Sequence, residues 1–166
     1  MAAEPTTVTG VRARARAEVR AAILAAASKR VAEDGANDLS LRAVARDVGM
    51  VSSAVYRYFA SRDELLTALI VEAYDSLGDH VEAHLESTSG RPAGERWVDA
   101  AMAIRSWALT HPNDYALLYG TPIPGYAAPD DTVASGTRVS RALVGIVREA
   151  DHRDPIAERP IEPSLS

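Results

Sequence analysis

Across residues 38–66 the chain reads DLSLRAVARDVGMVSSAVYRYFASRDELL, and its apolar positions form two short helical patterns on either side of a glycine. Leu41, Val44, Ala45 and Val48 recur at i, i+3, i+4 and i+7, which predicts a helix with one apolar face and Ser40 as its N-cap. Gly49 supplies the positive φ that ends a helix and turns the chain sharply. A second helix is predicted from about 51 to 59, so the stretch reads as a helix-turn-helix. Val44, Ala45, Val48, Val55 and Phe59 are its candidate core.

The flanking patterns extend this reading. Residues 11–34 alternate Arg with Ala and then settle into a helix whose buried stripe is Val19, Ile23, Leu24, Ala27 and Val31, closed by Gly35. After the second helix, Ser61-Arg62-Asp63-Glu64 forms a capping box, with Ser61 as N-cap and Glu64 three positions on. Leu65, Leu66, Leu69, Ile70, Ala73, Tyr74 and Leu77 then mark a long helix that either breaks at Gly78 or continues to about 85. Residues 90–94, GRPAG, read as a loop. A helical stripe follows at Trp97, Ala100, Ala101, Ile104, Trp107 and Ala108, stopped by His111-Pro112. A short helix at 114–119, capped by Asn113 or Asp114, leads into a Pro/Gly turn at 120–129. The last helix is predicted at 132–150, with Val139, Leu143, Ile146 and Val147 inward. These elements give an all-α chain: a disordered tail at 1–10, a three-helix head at 11–60, a helical body at 61–150 and a flexible tail at 151–166.

With 47% hydrophobic residues the chain can bury a core, and with no cysteine it has neither disulfides nor thiol chemistry. No apolar run approaches the ~18 residues of a membrane span and no secretory signal is visible, so the expectation is a cytoplasmic protein that makes no membrane contact. The net charge of -5 alone argues against nucleic acid, but its distribution does not. Residues 1–62 carry ten Lys and Arg against six Asp and Glu, whereas the remainder carries eight against seventeen. A basic head on an acidic body suits a protein whose head alone meets phosphate. Arg12, Arg14, Arg16 and Arg20, at or before the first helix, could form an arm along a phosphate backbone or in a minor groove, or simply a solubilising tail.

The run Gly49-Met50-Val51-Ser52-Ser53-Ala54-Val55-Tyr56-Arg57-Tyr58-Phe59-Ala60-Ser61-Arg62-Asp63-Glu64-Leu65-Leu66 resembles the signature of the tetracycline-repressor (TetR) family of bacterial regulators, roughly G-V-S-x-G-x-[LI]-Y-x-[HY]-F-x-[SNG]-K-[ED]-x-L. Three positions depart from it. Val51 stands where a Ser often caps the recognition helix, which loses ~1 kcal/mol unless Ser52 takes over. Ser53 stands where Gly is common, and Arg62 replaces Lys, keeping the charge.

The resemblance implies that Val51, Ser52, Ser53 and Ala54 lie at the major groove, with sparse base readout because they are small. Arg57, and Arg42 from the helix before, are the donors that could reach guanine edges or phosphates. Tyr56 and Tyr58 correspond to phosphate-contacting positions, Tyr56 also closing the core as a half-buried ring. Ser40, Arg14, Arg16 and Arg62 complete the candidate phosphate contacts. The run W-A-x-x-H-P-x-x-Y-x-L-x-Y at 107–119 is similar to the effector-binding body of an actinobacterial-type subgroup. That implies a small-molecule effector, and a homodimer paired through two closing helices on a palindromic double-stranded operator. Only one such helix fits before the chain stops, so a closing helix is expected to be missing. Trp97, Met102, Trp107, Tyr115, Tyr119 and Tyr126 could line an apolar pocket with a few hydroxyl and indole donors, or fill the core.

His80 and His84 are four apart, a spacing that can hold a metal, but no third ligand recurs at fixed spacing and the commoner reading is a pair of solvated histidines. No phosphate loop, nucleophile elbow or carboxylate pair is visible, so no enzymatic activity and no cofactor are expected. Three functions therefore stay open: a ligand-released transcriptional repressor, a DNA-binding dimer without a ligand, and a small-molecule carrier or enzyme with a vestigial head.

Overall fold

The computed structural model describes residues 8–153, with side chains described from 10 to 150. Among them there is no strand. The helices are α1 (Val8–Asp34), α2 (Leu41–Asp47), α3 (Ser52–Val55), α4 (Arg62–Ser87), α5 (Ala93–Thr110), α6 (Pro112–Tyr119), α7 (Val133–Gly136) and α8 (Arg138–Arg153), with 3₁₀ turns at Ala36–Asp38 and Asp130–Thr132. The tail predicted at 1–10 lies outside the described residues as far as 7 and is helical from Val8. The tail predicted at 151–166 lies outside them from 154, α8 running to Arg153.

Two compact units result. One holds the chain up to Ala73 together with His111–Thr132, and the other holds Tyr74–Thr110 and the chain from Val133 on. The division falls inside α4, between 73 and 74, and not at the 60/61 break expected from the sequence, and α6 belongs with the head. No helix among the described residues is long and apolar enough to cross a membrane.

In the first unit Ile23, Leu24 and Ala27 of α1 pack with Leu41, Val44, Ala45, Val55, Phe59, Leu65 and Leu66 as buried core. Val19, Val31 and Val48, expected in the same core, are only half-buried. Position 48 is the C-cap of α2, where the chain already turns away from the apolar face. The turn that follows is a Schellman motif: Gly49 has φ 67°, the Met50 N–H donates to the Ala45 carbonyl at 2.9 Å and the Gly49 N–H to that of Arg46 at 3.2 Å. The capping box at α4 forms with one change. Ser61 Oγ accepts from the Glu64 N–H at 3.0 Å, but the Glu64 carboxylate reaches the Ala60 N–H, at 2.6 Å.

His111, not Asn113 or Asp114, is the N-cap of α6, without a side-chain cap bond; Pro112 at the first position explains the early start, its missing N–H being one the helix would leave unpaired anyway. In the following loop the Tyr126 N–H donates to the Ile123 carbonyl at 3.1 Å around Pro124 and Gly125, the latter at φ 75°, as a type II turn requires. The Tyr126 hydroxyl is 2.9 Å from Thr67 Oγ1, which pins that loop to α4.

In the second unit α5 buries Ala100, Ala103 and Trp107. The predicted stripe is thus rotated: Trp97 is 46% exposed, Ala101 is exposed, and Ile104 and Ala108 are half-buried. Apolar residues lie on both flanks of this helix, and periodicity alone does not choose the flank that turns inward. Residues 93 and 94, expected in a loop, open α5. Gly78 does not break α4. It makes room for Arg138, whose Nε and Cζ would lie 2.8 and 2.9 Å from a Cβ placed there. The guanidinium sits among Asp75, Asp79 and Glu82 of α4, with N–O distances of 2.6–3.3 Å. Hydrogen bonds to Glu82 and then Asp79 raise its already high pKa further. The final helix is interrupted at Thr137, whose hydroxyl bonds back to the Val133 carbonyl at 2.7 Å, a local competitor of the backbone ladder. Ile146 is buried, Val139 and Leu143 are half-buried, and Val147, predicted inward, is exposed.

Candidate nucleic-acid interface

The short helix α3 is presented by the turn before it and the core beneath it. Val55 and Phe59 are fully buried, which fixes the roll of the segment. Val51 at 71% exposure, Ser53, Tyr56 at 46% and Arg57 then face outward, while Ser52, Ala54 and Tyr58 are half-buried. Regular helix ends at Val55, not near 59. The N–H groups of Arg57 and Tyr58 bond three residues back, to Ala54 and Val55, and tighten the last turn. Neither cap proposed for this region forms: Val51 and Ser40 occupy the N-cap positions of α3 and α2, and no side-chain cap bond is made at either. Ser52 sits inside α3 and does not take over the cap.

Basic side chains gather beside this face. Arg16 of α1 lies over the Tyr58 ring, 5.2 Å from its centroid, and donates to the Arg57 carbonyl at 3.5 Å. One turn on, Arg20 lies 5.0 Å above Phe59. All four N-terminal arginines thus belong to helix, and the arm expected from the sequence is not extended within the described residues. Arg14 is exposed and pairs with Glu18 at 3.8 Å. Arg42 is exposed on α2, and so is Arg46 four residues on; the sequence reading passed over Arg46, although the i, i+4 spacing was its signal.

Two arginines serve the scaffold. Arg62 donates to the carbonyls of Ala36 and Asn37 at 2.9 and 3.3 Å and pairs with Asp63, so its donors are spent on the link between α1 and α2, not on the outward face. Arg30 grips Asp47 with two hydrogen bonds of 2.5 and 2.8 Å, joining α1 to the end of α2. That bond is the main reason the Asp47 carboxyl is held below the usual carboxylate range and Arg30 is raised. A depressed carboxyl stabilises the fold above its unfolded pKa of ~3.9 and loses that contribution as pH falls through the lower folded value.

The model of bacterial regulatory proteins of the tetR family matches residues 23–69, and that of the tetracyclin repressor-like C-terminal domain matches 97–162. The HTH-type transcriptional regulator Rv1816 of Mycobacterium tuberculosis is 47% identical over 135 residues, 81% of this chain and 58% of that protein. Among solved structures, SCO4313, described as a regulatory protein, is 39% identical, with a TM-score of 0.72, covering 89% of this chain and 74% of that one. A protein of unknown function from Rhodococcus sp. RHA1 is 32% identical, with a TM-score of 0.69, covering 81% and 68%. The chain belongs to the tetR family. It spans 58% of the length of the mycobacterial relatives it matches.

In this tetR-family chain the six candidate pocket residues do not share a unit. Trp97, Met102 and Trp107 belong to one, and Tyr115, Tyr119 and Tyr126 to the other. Trp107 is core, its indole N–H donating to Ser76 Oγ at 3.0 Å, and Tyr126 is committed to Thr67. Met102, Tyr115 and Tyr119 are exposed, as is Trp97; the two tyrosine rings of α6 lie 5.1 Å apart. His80 Nε2 is 3.0 Å from Ser106 Oγ, and no group of three or more possible metal ligands occurs among the described residues.

Proposed function

We propose that this tetR-family chain acts in the cytoplasm as a transcriptional repressor, binding a palindromic double-stranded operator as a homodimer and released by a small molecule held in its body. One observation carries the DNA half: Val51, Ser53, Tyr56 and Arg57 face outward while Val55 and Phe59 anchor the same segment from beneath. The exposed Arg42 and Arg46 and the fixed Arg16 add positive charge for phosphate. Two copies would set their α3 segments in major grooves about 34 Å apart. Val144 and Val147, exposed and three apart on α8, offer apolar surface for pairing.

Selection of bound sequences from a random DNA pool tests this directly. A two-fold symmetric consensus is expected; an unenriched pool or an asymmetric single site would reject the dimeric operator reading.

A second measurement separates contact from scaffold. Arg62→Met is expected to lower folding stability by about 1–3 kcal/mol, because carbonyl groups bonded to a cation lose their donor. The same variant should leave the slope of log affinity against log salt unchanged, whereas Arg42→Gln should reduce it by about 1. An equal loss of slope at position 62 would return Arg62 to the phosphate contacts.

A further inference from the structure

Val51 is 71% exposed, more than any other large apolar side chain among the described residues. It serves neither purpose that the fold offers at its position. Val55 and Phe59 fill the core beneath the segment, and Val51 adds little to it. Val51 is also the N-cap of α3, where no side-chain cap bond is made and where a hydroxyl would have supplied one. A single exposed apolar residue is ordinary on a protein surface. One that also forgoes a cap breaks a local rule, and such breaks concentrate at functional positions.

The face that Val51 shares narrows its partner. Ser53, Tyr56 and Arg57 are exposed beside it, each carrying a hydroxyl or a guanidinium. Val51 alone of the four has no polar side-chain atom. In the major groove the base edges present hydrogen-bond donors and acceptors and one kind of apolar group, the pyrimidine C5-methyl. Against any other edge an apolar side chain would desolvate polar atoms without pairing them. A β-branched side chain is also stiff, so little rotamer freedom is lost on contact.

We infer that Val51 is a specificity-determining residue that packs on a pyrimidine C5-methyl group in each operator half-site, supplied by thymine in unmodified DNA. The contact belongs to the side chain and uses none of the backbone groups of α3. It rests on the DNA half of the proposed function and names the base feature read at this face.

The test uses the whole chain and the operator selected from unmodified DNA. Each thymine is replaced in turn by deoxyuridine, which keeps the base pair and removes only the methyl group, and binding is read by anisotropy. At one thymine per half-site the replacement should weaken binding about fourfold, and about fifteenfold when both half-sites are changed, as loss of one buried methyl group implies. The ratio should hold as salt is raised, since no charge takes part. Val51→Ser, which restores a cap and should melt no lower than the parent, is expected to bind the thymine and deoxyuridine operators alike. Val51→Gly removes the side chain outright, is tolerated at an N-cap and should show the same indifference. Comparing parent and variant on both duplexes cancels any effect of the lost methyl on the DNA itself. A cytosine whose conversion to 5-methylcytosine strengthens binding by the parent, but not by Val51→Ser, would support the methyl contact and assign it to a methylated cytosine. Indifference of the parent to every thymine and cytosine replacement would overturn the inference. So would a deoxyuridine loss of equal size in the parent and both variants, which would give the methyl group to another side chain. An unenriched pool removes the operator and the contact together, whereas a selected operator indifferent to its methyl groups removes the contact alone.

Discussion

Replacing Tyr56 and Arg57 together by Ala is expected to weaken operator binding by about 3–5 kcal/mol, two to nearly four orders of magnitude, as the summed loss of a base or phosphate contact from Arg and a hydroxyl–phosphate bond from Tyr. Thermal stability should stay within roughly 0.5 kcal/mol of the parent, because both side chains are exposed. The backbone tie at this point survives the change: Arg16 donates to the main-chain carbonyl of Arg57, which Ala retains. Anisotropy titration against the selected operator, paired with a melting curve, reads both quantities. Unchanged affinity would remove the outward face of α3 from DNA recognition altogether. Lost affinity together with a lowered melting point would say instead that Tyr56 closes the core, the second role its half-exposed ring admits.

The features legible in the sequence are those whose chemistry is local. Gly49 ends α2 because three consecutive residues decide the motif, and Ser61 with Glu64 caps α4 because the partners are three apart. The buried pair Val55 and Phe59 follows from helical spacing alone. What the sequence does not show depends on partners far along the chain. Nothing near Arg62 announces that its donors belong to carbonyls 25 and 26 residues earlier, and Arg16 meets Tyr58 and Arg57 across a comparable distance. Gly78 looks like a helix breaker until Arg138 is seen to occupy the space it leaves.

The candidate pocket residues are divided between the two units for a different reason. Aromatic side chains gathered in sequence between 97 and 126 suggested a common cavity, but His111-Pro112 stops α5 and sends the chain from one compact unit to the other.

Phe59→Ala should produce the largest stability loss of any single change in the head, about 3–5 kcal/mol, since it deletes a large ring from a site that is 1% exposed and bounded by Val55. Arg20 loses the ring beneath its guanidinium as well, worth up to ~1 kcal/mol near the surface. Phe59→Leu keeps most of the apolar volume and should cost under ~1.5 kcal/mol, which separates cavity formation from loss of the cation–ring contact. Against a total stability of roughly 5–15 kcal/mol, the Ala change leaves the head substantially melted at moderate temperature. Both tryptophans, Trp97 and Trp107, lie in the other unit, so their fluorescence reports that unit while far-ultraviolet dichroism reports all helices. The expected result is a dichroism transition moved down by Phe59→Ala ahead of the tryptophan transition, with operator binding lost at the temperature of the first. If both signals shift together, α4, which runs through both units, couples them into one cooperative fold. A loss below ~1 kcal/mol would mean that Phe59 is not the keystone of the three-helix core, and the anchored orientation of Tyr56 and Arg57 would need another support.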